Sequence, residues 1–142
     1  MGQLIYETPF SKFHHHPEKH GIEFTWLPST TEMTEEEYQT NCVKAAIQVR
    51  SLGEPNALLD SIDLDFIIAP HMQEWSINEL VPYYISAGVK RMALIIPTNF
   101  MTNISVEQTV DDIHEENIAN LYIIRYFDNI EQAWEWFKSE SN

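Results

Sequence analysis

Three short apolar runs set the limits on what this chain can become: ALLD from Ala57, MALII from Met92 and LYIIRY from Leu121. Each is far shorter than the roughly 20 apolar residues a membrane-crossing helix needs. Each suits a strand buried on both faces, and a stretch with helix-start chemistry follows each one. After the first, Pro70 is well placed in the opening turn of a helix, where its missing N–H costs nothing. That helix is expected to run to Gly88 with a bend near Pro82. After the second, Pro97 closes the strand, and Ser105 with Gln108 has the spacing of a capping box ahead of Val106, Val110, Ile113 and Asn117. After the third, Asp128 with Glu131 caps a terminal helix carrying Ile130, Ala133, Trp134 and Phe137.

The first half of the chain supplies the other elements. Leu4 to His15 is rich in aromatic and β-branched residues, and Ile22, Phe24 and Trp26 alternate with Glu23 and Thr25, as in a strand. Between them HPEKHG, with Pro17 and Gly21, suits a hairpin turn. Thr34 and Glu37 form a capping box, and Tyr38, Cys42, Ala45, Ala46, Val49 and Leu52 make a helical apolar stripe that Gly53 and Pro55 end. The order is ββαβαβαβα. An opening antiparallel hairpin followed by right-handed parallel crossovers gives one α/β domain over residues 1–142. The expectation is a mixed five-stranded sheet with about four helices.

Composition narrows the function classes. The chain carries 8 Lys+Arg against 22 Asp+Glu, a formal charge of −14, which repels nucleic-acid backbones and anionic lipid headgroups. Cys42 is the only cysteine, so no intrachain disulfide forms. The opening MGQLIYETPF lacks the basic start and apolar core of a signal peptide, and a soluble cytoplasmic protein is expected.

The hairpin, then TWLPSTTEMTEEEY, ALLDSIDLDFIIAPHMQEW, AGVKRMALIIP, SVEQT and RYFDNIEQAWEWF, taken in that order and spacing, resemble the STAS/SpoIIAA-like domains, in particular a branch of small bacterial STAS-like proteins. The resemblance covers nearly the whole chain and implies a SpoIIAA-like sheet and two functional themes. One is the anti-sigma-factor antagonist, whose serine at the start of the helix after the third strand is phosphorylated to switch partner binding. That place falls on Ile68, Ala69, Pro70 and His71, none of which has a hydroxyl; Ser61 lies too early and Ser76 well inside the helix. A phosphate acts by adding charge at one helix terminus, so the switch is not carried over. The other theme is apolar-ligand binding, through the likeness of SpoIIAA-like folds to CRAL-TRIO lipid-transfer domains.

The residues offer few chemical sites. Asp60, Asp63 and Asp65, with His71 nearby, are what a hard cation would use at the carboxyl edge of the sheet, although an acidic solvated turn explains them more simply. His14, His15, His16 and His20 resemble a metal tract, but in a strand His14 and His16 face one side and His15 the other. No GxSxG, Gly-rich phosphate loop, HExxH or paired CxxC occurs, and no catalytic residue, metal or cofactor is assigned. The surplus is apolar. On the helix from Pro70, Ile77, Leu80, Val81, Tyr84 and Ile85 make the core stripe, while Met72, Trp75 and Tyr83 fall on roughly the opposite side. Phe100, Met101 and Ile104 sit in what reads as a loop, PTNFMTNIS. These residues are the expected contact surface for a homodimer or protein partner, or the cover of a pocket for a small apolar or lipid-like molecule. A non-enzymatic binding module comes first, an apolar-ligand carrier second, and a metal-dependent enzyme at Asp60–His71 third.

Overall fold

The computed structural model describes residues 2–115 and 123–140. The chain opens with β1 (Gln3–Glu7), β2 (Ser11–His16) and β3 (Gly21–Trp26). A single strand from Leu4 to His15 was expected; the structure breaks it at Thr8–Phe10. There the Thr8 hydroxyl accepts from the N–H groups of Phe10 (3.1 Å) and Ser11 (3.0 Å), while the Thr8 N–H donates to the Ser11 carbonyl. A hydroxyl that satisfies two successive amides makes a turn of what composition alone presents as one strand. The sheet therefore has six strands rather than five.

Between β2 and β3 a 3₁₀ turn, Pro17–Lys19, ends on His20 in the left-handed region at φ 53°. Gly21 follows because nothing larger fits: a Cβ there would lie 2.8 Å from the Trp134 ring. Helix α1 (Glu35–Leu52) starts on the Thr34–Glu37 capping box, with both reciprocal bonds present, and stops at Gly53 with φ 68°. Then come β4 (Asn56–Asp60), α2 (Pro70–Trp75), a π turn (Ser76–Leu80), α3 (Val81–Ser86), β5 (Arg91–Ile95), α4 (Phe100–Glu115), β6 (Ile123–Phe127) and α5 (Ile130–Glu140). The expected strand start at Leu121, and Asn117 before it, lie outside the described residues.

Two helix starts differ from expectation. Helix α4 begins five residues before Ser105, because the Asn99 side chain accepts the Thr102 N–H at 2.9 Å. Phe100, Met101 and Ile104 are thus in its first turns and not in a loop. In α5 the cap is Asn129, accepting the Gln132 N–H at 2.8 Å, one residue after the expected Asp128. Both are Asn caps next to competing Ser or Asp caps, which differ little in strength.

The sheet order is β1-β2-β3-β4-β5-β6, antiparallel over the first three strands and parallel from β3 onward. Successive parallel crossovers that all step the same way place their helices on one face. That face holds the main core, where Phe24, Trp26, Ala57, Met92 and Leu94 meet Tyr38, Cys42, Val81, Tyr84, Val106 and Val110 from the helices. Helix α5 covers the other face, where Leu58, Ala93 and Ile95 pack on Ala133, Trp136 and Phe137. Successive residues of β4 and β5 alternate between the two cores, Ala57, Leu59, Met92 and Leu94 to the main one and Leu58, Ala93 and Ile95 to the other, which is the period of two that a strand imposes. Among the described residues no helix is long and apolar enough to cross a membrane.

Candidate functional site

The helical layer is held over the sheet by a segment with no regular structure, residues 61–69. Its amides are satisfied from outside. The Asp65 N–H donates to the Thr30 hydroxyl (2.9 Å), Phe66 to Thr102 (3.1 Å) and Ile68 to Ser105 (3.0 Å), and the Gln73 amide donates to the Ile68 carbonyl at 2.8 Å. Thr30, Thr102, Ser105 and Gln73 are all buried. Ser105, expected as a cap, instead pins this segment to α4.

Next to that segment the helix from Pro70 changes pitch. The π turn inserts a wider loop of backbone, closed by the Val81 N–H donating to the Ser76 carbonyl. Pro82, near which a bend was expected, follows two residues after the π turn within the same helical run. The extra residue of the π turn rotates the side chains after it relative to those before it. Met72 is buried in the main core, and Trp75 and Tyr83 are half-buried at its edge.

Trp75 and Tyr83 line a surface groove together with Val43, Ala46 and Ile47 of α1 and Leu80 of the π turn. Val43 and Ile47 are 42% and 53% exposed, large figures for aliphatic side chains one helical turn apart. They were missed as site residues in the sequence, although the spacing of Val43 and Ile47 off the α1 core stripe was visible there. Glu36 and Glu79 stand at the groove's rim. Two nearby cations are laid over rings: Lys44 is 4.7 Å from the Tyr6 centroid and Arg50 is 5.4 Å from that of Tyr83.

Behind the groove lies a partly open cavity of about 110 Å³ between the sheet and the helical layer. Phe24, Trp26, Met92 and Leu94 form its floor, and Tyr38, Leu80, Val81, Val106 and Val110 stand among its walls. An aromatic ladder runs beside it. Trp26 stacks on Tyr38 (5.6 Å) and Tyr38 on Phe66 (5.0 Å), and the Trp75 edge meets Tyr38 at 6.5 Å. Burial holds the Tyr38 hydroxyl well above its ordinary pKa range, and Ser76 and Cys42 lie within its hydrogen-bonding reach. Burial likewise pushes the Cys42 thiol up to about 12, so it stays protonated and unreactive.

The remaining sequence candidates are dispersed. Asp60 is buried at the end of β4, Asp63 and Asp65 are exposed, and His71 is exposed with Nε2 2.8 Å from Glu35. Among the described residues no three His, Cys, Asp or Glu side chains are grouped to hold a metal ion. His14 and His16 share one sheet face with rings 6.3 Å apart, whereas His15 contacts Glu54 at 2.7 Å. Ser61 is buried, and the Ser76 hydroxyl donates to the Met72 carbonyl at 3.0 Å. Met101 is exposed at the start of α4 and Ile104 half-buried; the Phe100 side chain lies outside the described residues. Met101 and Ile104 line neither the groove nor the cavity. Compared with known proteins, the chain matches no family model, no curated protein and no solved structure.

Proposed function

We propose that the protein is a non-enzymatic, STAS-like interaction module of the cytoplasm. Its groove between α1 and the α2–α3 helix docks a basic, amphipathic helical segment of a partner protein. The observation that carries this reading is the contiguous apolar strip of Val43, Ile47, Trp75 and Tyr83 on the surface of a strongly acidic molecule. Helix-in-groove docking places apolar anchors one turn apart into such a strip. The charge chooses the occupant. The molecule carries −14, Glu36 and Glu79 stand at the rim, and Lys44 and Arg50 are drawn onto rings. A second copy would bring a second acidic rim against the first, and like charges across an interface cost several kcal/mol. The STAS-like part rests on the quoted sequence segments, a hairpin entry and parallel strands alternating with helices; the sixth strand at the β1 edge goes beyond it.

The test uses two synthetic helical peptides, one of leucine and lysine at amphipathic spacing and one with glutamate in place of lysine. The basic peptide is expected to bind, more weakly as salt rises. Ile47→Ser is expected to weaken it at least tenfold, while Ile67→Ser, an equally exposed apolar position outside the groove, leaves it unchanged. Equal loss in both variants, or equal binding of both peptides, overturns the assignment. A dimer dissolved by Ile47→Ser hands the groove to a second copy instead.

A further inference from the structure

The cavity behind the groove is a separate matter, and its chemistry is more restrictive. We infer that it is a binding site for a small, uncharged, apolar molecule the size of a single aromatic ring, admitted from the groove past Leu80. Protein interiors hold few spaces larger than a water molecule, so about 110 Å³ at the edge of the main core is more than packing slack. Apolar cavities of about 150 Å³ in other proteins stay dry and take up benzene or xenon, which sets an upper limit of about one six-atom ring here. A long lipid tail does not fit.

The lining selects against charge. Among the described residues no Asp, Glu, Lys, Arg or His lines the cavity, so an ionised ligand loses its hydration with nothing in return from them. Five hydroxyls line it, those of Tyr38, Ser61, Ser76, Tyr84 and Thr109, and two of them donate within their own helices. Ser76 donates to the Met72 carbonyl, and Thr109 donates to the Ser105 carbonyl at 2.9 Å. Water needs two to four polar partners to be held in such a place, and Ser76 and Thr109 have spent their donors inside their own helices. What the walls do offer is ring and aliphatic surface, with Trp26 and Tyr38 stacked at one side and Met92 and Leu94 beneath. Methionine beside aromatic rings adapts its shape to an apolar guest.

The way in follows from one side chain. Leu80 lines both the cavity and the surface groove, so it is the partition between them. It ends the π turn, and Pro82 two residues later has no N–H to return to the preceding turn. The helix is thus least regular where the partition stands, and π turns recur at functional sites.

The probe is benzene, titrated into the full chain carrying labelled methyl groups and followed by NMR. Saturable shifts are expected at Leu80, Val81, Met92, Val106 and Val110, with Leu58 and Ile95 in the second core unmoved. Benzoate, the charged counterpart, is expected to move none of them. Val110→Phe, which fills the space, should weaken benzene binding at least tenfold, and Leu80→Ala should speed benzene exchange about tenfold while binding persists. Ile47→Ser, which disables the groove, should leave the benzene shifts intact, so the two readings fail separately. Absence of saturable shifts in the wild-type chain, equal shifts in both cores, or equal binding of benzoate overturns the inference, and the wild-type titration decides even where Val110→Phe does not fold.

Discussion

Asp60 ends β4 with its carboxyl buried, and burial raises its pKa above the ordinary aspartate value of 3.8, with Glu23 and Asp63 adding repulsion. The Ile62 N–H, donating to Oδ1 at 3.3 Å, offsets only part of this. Asp128 and Glu131 line the same hollow, and among the described residues no Lys or Arg lines it. For an acid whose folded pKa lies above its unfolded one, the folded state binds more protons, and stability falls as pH rises through that interval. The ionised Asp60 is therefore a net cost at neutral pH. Asp60→Asn keeps an oxygen for the Ile62 amide and removes the charge. It should raise the melting temperature at pH 7 and give no gain below pH 3.8, where both side chains are neutral. A melting-temperature difference that is independent of pH refutes this account of Asp60.

At the scale of elements, the decisive joints are hydroxyls that substitute for a strand partner. The 61–69 segment has neither helix nor sheet to satisfy its amides, and Thr30, Thr102 and Ser105 take that part. A buried amide left without its acceptor costs about 1–3 kcal/mol. Thr102→Val and Ser105→Ala should each lower unfolding free energy in urea by that amount. Native-state hydrogen exchange should quicken at Phe66 in the first variant and at Ile68 in the second. Were the destabilisation present without local exchange at the named amide, lost packing in α4 would explain it better. The same two side chains show why the α4 start was misread. A serine three residues before a glutamine looks like a cap, but Ser105 spends its hydroxyl on Ile68 and Thr102 while Asn99 does the capping.

For the whole molecule, charge is the governing term. Half of the eight Lys and Arg residues lie over aromatic rings: Lys19 and Trp134, Lys44 and Tyr6, Arg50 and Tyr83, Arg125 and Trp136. Ring contacts of this kind leave a net −14 to repel itself across a small globule. Raising sodium chloride from about 10 mM to about 150 mM shortens the screening length from about 30 Å to about 8 Å. The melting temperature should rise by several degrees over that range in scanning calorimetry, most steeply at the low end. A fall would mean that favourable ion pairs outweigh the repulsion.

Much of this protein was determined by local chemistry. The Thr34–Glu37 box, the Gly53 stop, Pro70 at a first turn and the buried strands around Ala57 and Met92 are local features, each decided within a few residues of itself. The single cysteine's burial on the α1 core stripe follows from the same periodicity. What tertiary structure alone decided was which competing local choices won, and which surfaces met. Thr8 made a turn because Asn41 of α1 stands 2.7 Å away and binds its hydroxyl, a partner 33 residues distant. The π turn set Trp75 and Tyr83 beside Val43 and Ile47, and no local pattern announces that shift of pitch. The cavity belongs to no segment at all. Its walls come from four strands, the helices above them and the 61–69 segment, and its volume is the misfit left where their side chains meet. Local preferences act over a few bonds, whereas empty space is a property of surfaces brought together from far apart in the chain.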